Sequence, residues 1–138
     1  MRIAVLVAFL ALSVPAAAAR QQLPVLNSAQ AISRAASAPR PVRAVFEFKV
    51  QSAAKSRGGY YLDSEKDFRS AQNLGVVIRP SATQQLTRKF GGDLKAALVG
   101  KTIKVIGQVR RVAVGGRRAS ATATQVEVTR AGQILSVS

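Results

Sequence analysis

The sequence predicts a mainly β domain, a small five-stranded Greek-key barrel with a helical segment between its third and fourth strands. Three observations point there. From residue 42 to residue 79 the chain reads as three short strands, with the two-residue alternation of half-buried β structure. From Ser81 the apolar period lengthens to about 3.6, which is helical. At Lys101 the period of two returns for two further strands, separated by the Gly-rich turn at residues 115–118. Short strands with one helical interruption suit a closed Greek-key barrel. A split sheet with one helix packed on it is the alternative architecture.

Each element has a local reason. In VRAVFEFKVQS (residues 42–52), Phe46, Phe48 and Val50 share one face while Glu47, Lys49 and Gln51 share the other. KSRGG (55–59) is a turn. YYLDSE (60–65) is a second strand that sets Tyr60 and Leu62 against Tyr61 and Asp63. NLGVVIRP (73–80) is a third, with Leu74, Val76 and Ile78 inward and Pro80 stopping it. Ser81 is the expected N-cap of a helix presenting Leu86 and Phe90, which Gly91-Gly92 ends. Asp93 caps a second short helix carrying Leu94, Ala97 and Leu98, closed by Gly100. The fourth strand, from Lys101, turns Ile103, Val105, Gly107 and Val109 inward. Adjacent Arg110 and Arg111 would then fall on opposite faces, so a bulge or bend is expected there. The fifth strand is 119–128, where residues 119–125 show no obvious buried side, and 133–137 adds a short extended piece.

The first nineteen residues read differently. Arg2, an apolar run over 3–14, Pro15 and four alanines match a secretory signal with cleavage expected after Ala19. The run is short for a membrane span. The chain is therefore expected to be exported, to a periplasm or the medium. Residues 20–41 are Ala-, Ser- and Pro-rich. They form either a tethering arm or a short helix capped by Asn27 or Ser28 and ended by Pro39 and Pro41. Residues 42–138 make one domain.

Composition removes much enzymology. With no cysteine and no histidine among 138 residues, disulfides, Ser-His or Cys-His catalysis and nearly all zinc sites are excluded. The formal charge is +15, from 21 Lys+Arg against 6 Asp+Glu, which favours anionic partners.

The stretches YLDSEKDF and NLGVVI, then GKTIKVIGQV and a terminal QVEV with QI, resemble small exported bacterial proteins carrying a nucleic-acid-binding-type OB-fold domain. The resemblance spans residues 24–137 and implies the same fold, without an assigned activity. It departs at residues 121–124, which are small where that pattern has an aromatic or aliphatic residue.

OB-folds that bind oligonucleotides use the face of strands two and three together with the loops joining strands one–two and four–five. Those loops are KSRGG and GGRR here, both glycine-rich and basic. Lys55, Arg57, Arg117 and Arg118 are therefore expected to clamp a phosphate backbone, with Arg79, Lys104 and Arg110 extending the track. Tyr61 is the candidate stacking face, ahead of Phe68, because Phe46, Phe48 and Phe90 read as core. The plainer account is a solvated, arginine-biased surface, since Arg20, Arg34, Arg40 and Arg43 show the same bias in the arm.

Asp63, Glu65 and Asp67, spaced by two, would share one strand face and could hold a hard cation. Lys66 and Arg69 beside them favour ion pairing instead. The expected function is a non-catalytic, cofactor-free binding protein for an anionic polymer, single-stranded nucleic acid first. Lipopolysaccharide or another envelope polyanion, bound by a structural or stress-protective protein, is the alternative, and a metal-dependent OB-fold nuclease a third.

Overall fold

In a computed structural model the described residues are 22–115 and 121–138. The expected signal segment, residues 1–19, lies outside them, as do Arg117 and Arg118. The strands are β1 (Val25–Leu26), β2 (Val42–Lys49), β3 (Ser52–Ser56), β4 (Gly59–Asp63), β5 (Leu74–Ile78), β6 (Thr102–Val114), β7 (Ala121–Val128) and β8 (Ile134–Val137). The helices are α1 (Ser28–Ser37), α2 (Pro80–Phe90) and α3 (Leu94–Leu98), with a 3-10 turn at Ala131–Gln133. The protein is mainly β, and its helical segment falls between the expected third and fourth strands. Among the described residues the sheet has eight strands rather than five.

The difference is one of bending and of short additions. Pairing runs β1-β2-β6-β7-β5-β4-β3, with β8 beside β6. The expected first strand is divided into β2 and β3 by its own change of partner. Val50 exchanges hydrogen bonds with the far side, donating to Lys101 O and accepting from Gly100 N, while Gln51 N donates to Asp63 O. A single chain run thus pairs with β6 through its first half and with β4 through its second. β5 and β7 are parallel; β2–β6, β6–β7, β4–β5 and β3–β4 are antiparallel. The arrangement is consistent with an OB-fold-like domain.

Inward residues follow the expected alternation. Phe46, Leu62, Leu74, Val76, Ile78, Ile103, Val105, Val109 and Val126 are buried in one core with Leu86, Leu94 and Leu98. Burying a leucine side chain fully contributes about 1.5–3 kcal/mol. β5 is buried throughout, Gly75 and Val77 included, because it lies between β4 and β7.

The helices are set by their caps. Asn27 accepts from Gln30 N at 2.8 Å while its own N–H donates to Gln30 Oε1 at 3.0 Å, a capping box that starts α1. Ala31 and Ala35 bury the apolar stripe of α1, which packs against β2, β5 and β6. Helix α2 begins differently from expectation. Its N-cap is Arg79, with Pro80 in the first turn, where its missing N–H costs nothing; Ser81 instead donates to Thr129 O at 2.8 Å. Asp93 caps α3 as expected, accepting from Lys95 N at 3.0 Å. Among the described residues no helix is long and apolar enough to cross a membrane.

The bulge expected at Arg110-Arg111 is not present. Register with β7 is continuous from Val109↔Val126 to Val114↔Ala121. β2 stops at Val42↔Val109 and β5 at Leu74↔Thr124, so the outer part of β6–β7 continues as a ribbon without strand neighbours among the described residues. Both of its faces meet water there, and Arg110 and Arg111 are both exposed without any distortion. The same geometry explains why residues 121–123 show no buried side. The irregularity in β6 falls instead at Lys104/Val105, against β8.

Candidate anion-binding surface

The hairpin from β3 to β4 turns on two residues, Arg57 (φ 35°) and Gly58 (φ 80°), both left-handed, as two-residue turns of the primed type require. Gly suits such a backbone; Arg does not, so Arg57 holds an exposed guanidinium at a strained position. Gly59, next in line, must lack a side chain, since a Cβ there would lie 2.3 Å from Ile78 O. Lys55 is exposed and cross-strand from Tyr60, on the side of the sheet that carries the buried Tyr60 ring. Tyr61 points the other way.

Tyr61, Val77 and Glu127 are cross-strand neighbours in successive strands, forming a row across the outer face of β4, β5 and β7. Glu127 gathers two of the expected site residues. Arg79 Nε lies 2.8 Å from its Oε1 and Arg110 Nη2 3.3 Å from its Oε2. Lys104 Nζ is 3.6 Å from Glu47 Oε2 on the neighbouring β2, a separate pair. Arg111 Nη2 donates to the Thr122 hydroxyl.

The expected residues thus occupy several places. Arg79 and Arg110 meet, Tyr61 shares their face, Lys55 and Arg57 sit at the hairpin, and Lys104 stands apart. From the sequence, the KSRGG loop is expected beside GGRR at one binding edge. In the register of β5, the Arg57–Gly58 turn lies at the Ile78 end, whereas Val114 and Ala121, the strand ends flanking the second loop, lie beyond the Leu74 end. Arg117 and Arg118 themselves fall outside the described residues.

A concave feature has no counterpart among the sequence expectations. β6 pairs with β8 through Val105 and with β7 from Val109 outward, and between these it parts from β7. The Gln133 side chain fills the opening, its Nε2 donating to Ile106 O at 3.0 Å and to Glu127 O at 3.1 Å. Its Oε1 accepts from Thr129 N and Arg130 N. Gly107 belongs to the same device, since a Cβ there would press to 2.8 Å from Val126 Cγ1. The result is an open groove of about 310 Å³ lined by Arg43, Gln108, Arg110, Glu127, Arg130 and Gln133 among others. Arg43 reads by composition as part of the arm's arginine bias, but its parity along β2, shared with Glu47 and Lys49, is the outer-face signal that places it here. Gln133 enters the sequence reading only through the QI pair of the resemblance, since its residue type alone gives no sign of the backbone groups it bridges.

The acids do not share a face. β4 ends at Asp63, and residues 64–73 turn, so Asp63 is buried while Glu65 and Asp67 lie in the loop. Burial pushes the Asp63 carboxyl above its ordinary value, and the hydrogen bond from Asn73 Nδ2, at 2.9 Å, opposes this. Asn73 also accepts from Glu65 N and donates to Phe68 O, pinning the loop. Asp67 accepts from Arg69 N and Nε, which holds its carboxyl below the ordinary range. Among the described residues no group of three or more acids converges on a cation site. Phe68 is the more open aromatic, 66% exposed against 38% for Tyr61, with the Arg69 guanidinium 5.8 Å from its ring centre.

No family model and no curated protein matches the chain. Among solved structures it is similar to a Leishmania major Friedlin protein assigned as an aspartyl-tRNA synthetase, at 12% identity and a TM-score of 0.47, covering 78% of this chain and 20% of that one. It is also similar to the aspartyl-tRNA synthetase of Entamoeba histolytica, at 13% identity and a TM-score of 0.40, covering 64% of this chain and 17% of that one. The chain spans a fifth or less of the length of either structure. Likenesses this distant carry no functional argument.

Proposed function

We propose that the protein is an exported, non-catalytic OB-fold protein that binds single-stranded nucleic acid through an arginine-rich outer surface. In this reading β2 and β3 are one bent strand, and the run from β2 round to β3 closes a five-stranded barrel. One observation carries the functional part: the acids cannot neutralise the surface. All six lie within the described residues. Glu47, Asp67 and Glu127 are already paired, Asp63 is buried and Asp93 caps α3, which leaves Glu65, half-buried in the loop after β4, against 21 Lys+Arg. The hairpin cations Lys55 and Arg57 have no ion pair among the described residues, and Arg79 and Arg110 share one carboxylate.

Long-range attraction brings the polymer to this surface. Lys55, Arg57, Arg79 and Arg110 contact its phosphates, with Arg117 and Arg118 as further donors on the second loop, and Lys104 adds to the field. Tyr61 offers a ring to one base. Binding of this kind releases counterions, so affinity falls steeply with salt. The test is a titration of labelled single-stranded DNA and RNA, beside lipopolysaccharide, at rising salt concentration. Oligonucleotide binding that weakens steeply with salt is expected. Absence of oligonucleotide binding at low salt overturns the reading, and preferential capture of lipopolysaccharide transfers it to the envelope polyanion.

A further inference from the structure

We propose that the groove where β6 and β7 part seats a backbone phosphate of single-stranded nucleic acid, with Arg43, Arg110 and Arg130 as donors and Glu127 as the internal anion it displaces. The proposal rests on the nucleic-acid reading above and assigns its principal contact to a place other than the two basic loops.

Three features support the seat. The first is donor chemistry. Arg43 on β2, Arg110 on β6 and Arg130 at the start of the 3-10 turn come from three different elements to line one open groove, and all are exposed. Guanidinium forks match the oxygens of a phosphate and retain their charge at any working pH. Arg43 and Arg130 have no ion pair among the described residues, whereas Arg110 is held by Glu127.

The second is rigidity. The groove exists because Gln133 props β6 and β7 apart, and both ends of its amide are satisfied by backbone groups on either side. A concavity fixed by hydrogen bonds does not collapse when empty, so little ordering is needed on binding.

The third is Glu127. Its two oxygens hold Arg79 and Arg110, and of these Arg110 lines the groove, so displacing the carboxylate frees a donor already in the seat. Exposed ion pairs contribute only about 0.2–1 kcal/mol, so an incoming polyanion displaces the carboxylate at small cost. Tyr61 lies on the same face two strands away, about 10 Å at ordinary strand spacing. An aromatic face beside a phosphate seat suits a nucleotide, whose base can stack on it.

The experiment compares salt-dependent binding of a labelled oligothymidylate to the parent protein, to Arg43→Ala/Arg130→Ala, to Lys55→Ala/Arg57→Ala and to Glu127→Gln. The groove pair should lower affinity about tenfold and flatten the slope of log affinity against log salt by about 0.7 for each phosphate that is no longer neutralised. Glu127→Gln should raise affinity about two- to fivefold by freeing Arg79 and Arg110. Thermal melts check that each variant folds, and Glu127→Gln tests the seat by a gain that misfolding cannot imitate. Parent binding with unchanged affinity and slope in the groove pair overturns the seat and leaves the nucleic-acid reading standing. Failure of the parent to bind overturns both. Tighter, groove-dependent binding of anionic phospholipid vesicles overturns nucleic acid as the occupant.

Discussion

The side-chain amide of Gln133 donates to the carbonyl oxygen of Ile106 at 3.0 Å, across the stretch where β6 has left β7 and not yet settled against β8. The same nitrogen serves Glu127 O, and the amide oxygen serves Thr129 N and Arg130 N. One side chain therefore replaces several ladder bonds. Gln133→Ala leaves those backbone groups without their partner, and a part-buried loss of this size costs about 2–3 kcal/mol. Urea denaturation of the variant should show that decrease with an unchanged dependence on denaturant. A change below about 0.5 kcal/mol would show that water substitutes for the amide.

Arg57 stands where the backbone prefers Gly or Asn. Arg57→Asn keeps the two-residue turn and relieves the left-handed strain, so it should stabilise the protein by about 0.5–1 kcal/mol. If Arg57 contacts phosphate, the same substitution weakens oligonucleotide binding. Opposite signs in the melt and in the titration are the expected result. A stabilised variant that binds as well as its parent would remove Arg57 from the interface.

Asp63 gives a pH signature. Burial raises its pKa from the ordinary 3.8, so the folded state holds its proton more tightly than the unfolded chain does. The resulting contribution to stability is full below 3.8 and is lost as pH rises through the higher folded value. At neutral pH the ionised carboxylate is a burden, relieved in part by Asn73. Asp63→Asn keeps an oxygen to accept that hydrogen bond and carries no charge. Its melting temperature should exceed the parent's at neutral pH, with the gap closing as the solution is acidified toward 3.8. A gap independent of pH would mean that Asp63 titrates alike in the folded and unfolded chains.

The elements were legible in the sequence because their signals are local. Alternation identified the inward Phe46, Phe48 and Val50, and the period change at Ser81 located the helical segment. Partners are not local, and the errors follow from that. Asp63 alternates like a surface residue but lies where β4, β5 and the pinned loop meet. Arg110 and Arg111 suggested a bulge only on the assumption that the strand keeps a covered face, and past Val109 it has none. Of the candidate site, the hairpin cations were readable from KSRGG. The groove was not, since Arg43, Arg110 and Arg130 are far apart in sequence and meet only through the parting of two strands.

Helix α1 is among the first parts of the described chain to leave the ribosome, and it is bound to be among the last to come to rest. Its capping box is local and forms without help. Ala31 and Ala35, however, pack against β2, β5 and β6, and β6 is synthesised only after most of the chain. Until then the surface it docks on is incomplete, and ten residues of helix are marginal alone in water. The α1 segment is therefore expected to dock on a sheet already assembled. Its docking reports the completion of folding, and its amides should be the first to exchange when the native state begins to open.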